Sequence, residues 1–141
     1  MTAAQLDAAP RGEVDHVFPL PPAPGAVSTV RHGVRRVLGD WDLPADTAED
    51  VLLVVLELVT NALVHALPPA TLRVWRVLVD GRHGVRVEVS DQGPAAPPAP
   101  PAAPDPDEHG RGLGIVTALS ARCGVRTHGA GTSRWADVLA G

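Results

Sequence analysis

Lysine is absent from this sequence, and all 12 of its basic residues are arginines. P-loop ATPases need a lysine after their glycine-rich loop, Schiff-base enzymes need a lysine amine, and eukaryotic-type protein kinases need a strand lysine. The sequence therefore excludes all three classes.

Cysteine, long apolar runs and basic runs are also scarce. Cys123 is the only cysteine, which excludes an intramolecular disulfide and a cysteine-based zinc site and fits a reducing cytoplasm. The longest apolar run, residues 51–56, is too short to span a membrane. Twelve arginines against 16 acidic residues give a net charge of −4, so neither nucleic acid nor an anionic membrane is an expected partner.

The length and composition of the chain indicate one compact domain, because it has 141 residues of which 45% are apolar. We expect a disordered arm over residues 1–13 and a single domain over residues 14–141. Apolar spacing predicts a first helix over residues 27–38 that ends at Gly39. A second helix is predicted from an Asp46 and Glu49 capping box to about residue 66.

The remaining elements are one helix and several short strands. Residues 113–122 are predicted to form a third helix that Gly124 caps. Strand signals cover residues 16–20, then hairpins of residues 71–79 with 85–90 and of residues 125–128 with 133–138. The first hairpin turn is expected over residues 80–84. Together these elements predict an α+β, two-layer sandwich whose mostly antiparallel sheet of four to five strands carries about three helices on one face.

A polar stripe interrupts the second helix. Glu57, Asn61 and His65 are spaced four residues apart, so they lie on one helical face. A carboxylate beside an amide oxygen suits Mg²⁺, which takes a few oxygen ligands together with water and phosphate. The alternative is the solvated edge of an amphipathic helix.

A second polar position follows a predicted strand in which apolar and other residues alternate up to Val89. Asp91 could accept a hydrogen bond from a ligand amine, and Gly93 follows two residues later. The alternative is that residues 91–94 form a simple turn.

A third feature is a glycine-rich sequence after a proline-rich loop. Residues 94–106 contain seven prolines, and a structureless loop of this length in a compact domain is typical of a lid or of disorder. Gly110, Arg111, Gly112, Leu113 and Gly114 follow at the start of a predicted helix, where backbone N–H groups and the helix dipole favour phosphate. A flexible hinge or tight packing is the alternative.

These three features in this order resemble the N, G1 and G2 boxes of the histidine-kinase-like ATPases of the GHKL class, which have the Bergerat fold. The boxes here are Glu57 to Ala62, Asp91-x-Gly93 and Gly110 to Gly114. The resemblance extends over about residues 14–140 and is closest to the small anti-sigma-factor serine/threonine kinases. It implies a flexible ATP lid over about residues 93–110.

The resemblance also implies roles for individual residues. ATP and Mg²⁺ are the expected cofactors. Asn61 would hold the metal, Asp91 would bind the adenine amino group, Gly93 would contact the nucleotide, and Glu57 would act as the general base. The backbone of residues 110–114, with Arg111, would bind the phosphates, and Ser133 of the closing strand would contact the nucleotide. Ala95 and Thr132 depart from the family pattern, which often has glycine in the G1 box and lysine in the closing strand.

Two functions follow from the resemblance. The first is a cytoplasmic anti-sigma-factor kinase that phosphorylates an anti-anti-sigma (STAS-type) partner in a partner-switching circuit and binds a sigma factor. The second is a non-enzymatic module that sequesters a sigma factor or its antagonist, with or without nucleotide. The resemblance is also compatible with a homodimer.

Overall fold

The computed structural model describes residues 16–93 and 114–140. Five antiparallel strands form one sheet in the order β1-β2-β3-β5-β4. The strands are β1 (His16–Leu20), β2 (Ala70–Val79), β3 (Arg82–Asp91), β4 (Arg122–His128) and β5 (Gly131–Leu139). The helices are α1 (Ala26–Asp40), α2 (Ala45–His65) and α3, whose described residues are 114–119. The predicted α+β sandwich is therefore confirmed.

The core lies between the helices and one face of the sheet. Side chains from α1, α2, α3 and the strands form one buried cluster, to which the centre of the sheet contributes Val74, Val87 and Ala136. Val55 and Val59 of α2 are fully buried in the same cluster. Burial of a valine contributes about 1.5–3 kcal/mol, so the apolar face of α2 accounts for its position across the sheet.

Two tight turns connect the paired strands. In the β2–β3 turn, Asp80 has a φ of 51° and Gly81 has a φ of 80°. Positive φ at both central positions makes a type I′ turn, whose twist matches that of a hairpin. The turn is shorter than the predicted residues 80–84, because His83 and Gly84 already pair in β3.

The predicted starts and ends of the first two helices need correction. Helix α1 continues through Gly39 to Asp40, and Trp41 is its C-cap. Helix α2 begins at Ala45 after Pro44, and no side chain caps its first turn. Asp46 is therefore not an N-cap, although a carboxylate in the first turn still favours the helix dipole.

The third helix was predicted too long. Its described residues end at position 119, and Arg122 begins β4. Arg122 donates from Nε to Asp137 Oδ2 of β5 over 2.8 Å, so pairing across the sheet overrides the local helical pattern. Gly124 is not a helix cap but a strand residue, where a Cβ would lie 2.9 Å from the Trp135 indole nitrogen.

Some predictions lie outside the described residues. These are the arm over residues 1–13, the lid apart from Gly93, and residues 110–113 of the glycine-rich sequence.

Candidate functional site

The last two turns of α2 supply one wall of the site. Asn61 is half-buried and His65 is exposed, and both line a cavity at the end of the sheet. Glu57 lies one turn earlier on the same helix and is half-buried. It is not among the residues that line the cavity.

Asp91 supplies a buried acid at the end of β3. Its side chain is 5% exposed, and its Oδ1 accepts a hydrogen bond of 2.7 Å from the backbone N–H of Gly93. This bond holds the carboxylate in one orientation. Asp91 pairs across the sheet with Thr132, which lines the same cavity.

Backbone hydrogen bonds join the segment after α2 to the end of β3. The N–H of Leu67 donates to the Gly93 carbonyl over 2.8 Å, and the N–H of Gln92 donates to the Leu67 carbonyl over 3.1 Å. These two bonds fix the end of α2 beside Asp91. They explain why Asn61 and Asp91, which are 30 positions apart in the sequence, line the same cavity.

Gly93 allows a close contact between two segments of the chain. Its φ is 101°, and a Cβ at this position would lie 2.2 Å from the Ala130 carbonyl oxygen. Only glycine combines this backbone conformation with this approach. The β4–β5 turn therefore packs directly on the segment that follows Asp91.

The described residues enclose a cavity of about 230 Å³. It brings together three of the predicted site residues, Asn61, Asp91 and Gly93. Its lining, among the described residues, consists of Asn61, His65, Ala66, Asp91, Gly93, Thr132 and Arg134.

Ser133 is not brought into this cavity. Its hydroxyl lies 2.8 Å from the Ser90 hydroxyl and 2.8 Å from His128 Nε2, within hydrogen-bonding distance of both. Because neighbouring residues of a strand point to opposite faces, Thr132 and Arg134 face the cavity instead. Gly114, the one described residue of the glycine-rich sequence, is exposed at the start of α3 and is not part of the lining.

Sequence reasoning missed Thr132 and Arg134 as cavity residues. The signal was available in β5, because Ala136 and Val138 are apolar positions that alternate with Trp135 and Asp137. Counting back in steps of two from these core positions gives Arg134 and Thr132 on the helix-covered face.

The polar groups of the cavity suit a ligand with both a hydrogen-bond donor and negative charge. Asp91 can accept a hydrogen bond through its second oxygen, Asn61 provides an amide oxygen, and Arg134 provides a guanidinium. Among residues 16–93 and 114–140, no cluster of three His, Cys, Asp or Glu side chains could hold a metal. A Mg²⁺ ion here would therefore take its remaining ligands from phosphate and water.

No helix in the described part of the chain is long and apolar enough to cross a membrane.

Solved structures with a similar fold include the following two. The structure of the RsbU and RsbW domains of Rv1364c from Mycobacterium tuberculosis is 21% identical with a TM-score of 0.64, over 94% of this chain and 34% of that chain. The Erythrobacter litoralis EL346 blue-light activated histidine kinase is 23% identical with a TM-score of 0.50, over 85% of this chain and 41% of that chain. This chain therefore spans less than half the length of either.

No curated protein sequence matches this chain. Residues 20–136, however, match the histidine kinase-like ATPase domain, and this stretch contains Asp91, Asn61 and the whole of β2 and β3. The chain belongs to the family of histidine kinase-like ATPase domains.

Proposed function

We propose that this chain binds ATP with Mg²⁺ in the cavity between α2 and the end of the sheet, and that it phosphorylates a serine or threonine of a STAS-type anti-anti-sigma protein. The observation that carries the proposal is the buried, oriented carboxylate of Asp91 in the same cavity as Asn61. The ATPase family and the motif resemblance to anti-sigma-factor kinases support it.

The cavity residues fit an adenine nucleotide. Asp91 keeps one carboxylate oxygen for an exocyclic amine, because the Gly93 N–H already occupies the other. The amide oxygen of Asn61 would hold Mg²⁺, which neutralises phosphate charge when bound. The backbone of Gly110 to Gly114, together with the Arg111 side chain, is proposed to bind the phosphates. Ser133 lies on the opposite face of β5, against Ser90 and His128, and is not proposed to contact the nucleotide.

Glu57 is the proposed general base. Glu57 precedes Asn61 by one helical turn. A partner hydroxyl placed at the terminal phosphate could therefore come within reach of the Glu57 carboxylate. Glu57 would accept the hydroxyl proton as the phosphoryl group transfers, while positioning and charge neutralisation provide most of the rate enhancement. With this role, the proposed site of action is the cytoplasm, where sigma factors act.

A second candidate is a non-enzymatic module that captures a sigma factor or its antagonist. The observation that favours it is that Glu57 does not line the cavity. Ala95 in the G1 box and the Ala- and Pro-rich sequence after it also offer few polar groups for phosphate. In this reading nucleotide stabilises a binding surface and no phosphoryl transfer follows.

Calorimetric titration with ATP, with and without Mg²⁺, tests the nucleotide site. We expect binding by the wild type, loss of the magnesium-dependent part in Asn61→Ala, and loss of most binding in Asp91→Asn. Arg36→Gln, an exposed change on α1, is the control that should bind normally. A folded wild type that binds no ATP would refute the proposal.

The same proteins distinguish the kinase from the binding module. After incubation with Mg·ATP and a STAS-type protein, mass spectrometry should find one phosphoryl group on the partner. Glu57→Gln should abolish this modification and leave ATP binding unchanged. An unmodified partner that nevertheless forms a complex would support the non-enzymatic module.

A further inference from the structure

The arginines of the sheet divide into two groups by face. On the face away from the helices, Arg86 donates from Nε and Nη2 to Asp137 over 2.6 and 2.8 Å, and Arg126 pairs with Glu88. Arg134 lies on the opposite face, which carries the cavity. The outer-face cations are thus held by carboxylates of the same sheet.

Arg134 has no such carboxylate. Within residues 16–93 and 114–140 it makes no ion pair and no side-chain hydrogen bond, although it is half-buried. Asp91, the acid of the same cavity, bonds instead to the Gly93 N–H. A half-buried guanidinium that has no carboxylate partner within the protein is suited to bind the anionic group of a ligand.

Arg134 lies close along β5 to the side of the cavity that contains Asp91. Thr132 pairs with Asp91, and Arg134 lies two residues further along the same face, about 7 Å along the strand. Asp91 therefore offers a hydrogen-bond acceptor and Arg134 offers a cation, at positions where they could contact different parts of one ligand. Adenine with its exocyclic amine suits the first, and a phosphate suits the second.

We propose that Arg134 binds a phosphate of the nucleotide and makes the site selective for adenine nucleotides over adenosine. The inference rests on the proposed function. Among the described residues that line the cavity, Arg134 is the one with a permanent positive charge, because Thr132 is uncharged and the chain contains no lysine. The planar guanidinium can bond two phosphate oxygens at once.

The test compares adenosine, AMP, ADP and ATP, each titrated into the wild type, Arg134→Gln and Arg134→Lys. We expect Arg134→Gln to weaken ADP and ATP at least tenfold and to leave adenosine within twofold of the wild type. Arg134→Lys should recover part of the loss because it keeps the charge. Arg36→Gln, which removes an equal charge from exposed α1, should bind all four ligands normally.

Salt dependence and thermal melting provide two further readouts. ATP affinity should fall less steeply with added salt in Arg134→Gln than in the wild type, since one charge pair is missing. Melting of the unliganded variants must match the wild type to show that the fold is intact.

The outcomes separate this inference from the proposed function. Unchanged ATP affinity in Arg134→Gln, with wild-type binding present, would overturn the inference alone. Equal losses for adenosine and ATP would also overturn it, because Arg134 would then act on the shape of the cavity. A wild type that binds none of the four compounds would overturn both proposals.

Discussion

Among the glycines of the described residues, Gly93 is the one whose replacement by another residue the local geometry restricts most tightly. It has a φ of 101°, and an added Cβ would lie 2.2 Å from the Ala130 carbonyl oxygen. Its N–H also orients Asp91. Gly93 therefore contacts both the Asp91 carboxylate at the end of β3 and the β4–β5 turn.

Replacement of Gly93 by alanine should destabilise the protein by about 3 kcal/mol, because backbone strain and steric overlap add. Urea unfolding of the purified variant measures the change. Gly81→Ala is a matched control, since Gly81 has a φ of 80° but open space where its Cβ would lie. Equal losses in the two variants would show that the contact with Ala130 has no cost of its own.

At the scale of elements, Asp137 links three strands on the outer face of the sheet. It is fully buried in β5 and receives hydrogen bonds from Arg86 of β3 and Arg122 of β4. The Arg86 guanidinium also lies 4.6 Å from the Trp135 ring centroid, a cation–π distance. The edge strand β4 is thus held by side chains as well as by its backbone ladder.

Asp137→Asn should cost about 3–5 kcal/mol, because it leaves buried guanidinium charge without its carboxylate. Chemical denaturation gives the loss, and hydrogen exchange should show the largest increase in β4. Glu49→Gln is the comparison, since the Arg35–Glu49 pair is 3.4 Å long and exposed. That change should cost less than about 1 kcal/mol. A small effect of Asp137→Asn would mean that water replaces the carboxylate.

At the scale of the whole molecule, the cavity lies where three separate parts of the chain meet. The end of α2, the end of β3 and the start of β5 each contribute lining residues. A ligand that contacts all three parts favours the folded state over the unfolded chain, in which these residues are apart. Ligand binding and global stability are therefore linked.

Mg·ATP at 100 times its dissociation constant should stabilise the fold by about 2.7 kcal/mol and raise the melting temperature by several degrees. Thermal unfolding monitored by circular dichroism measures this shift. GTP should give a much smaller shift, because guanine presents a carbonyl oxygen where Asp91 needs a donor. Asp91→Asn should lose the ATP effect. Equal stabilisation by ATP and GTP would argue against adenine recognition by Asp91.

Much of the fold was predictable from local patterns in the sequence. The helical spacing in residues 27–38 and the apolar alternation of residues 85–89 reflect which side chains must be buried. Both elements form, over Ala26–Asp40 and Arg82–Asp91. The ends of elements were less predictable. Arg122 and Gly124 belong to a strand because Asp137 and Trp135, distant in sequence, lie against them.

The sequence by itself determined the family, through three spaced motifs, and it determined the types of group available, with arginine as its only side chain of permanent positive charge. Only the tertiary structure decided which groups share the cavity. Whether Ser133 or its neighbours Thr132 and Arg134 line the cavity depends on which side of β5 the helices cover. That choice is made by burial of Ala136 and Val138 against the core, because a strand cannot turn one residue inward without turning the next outward.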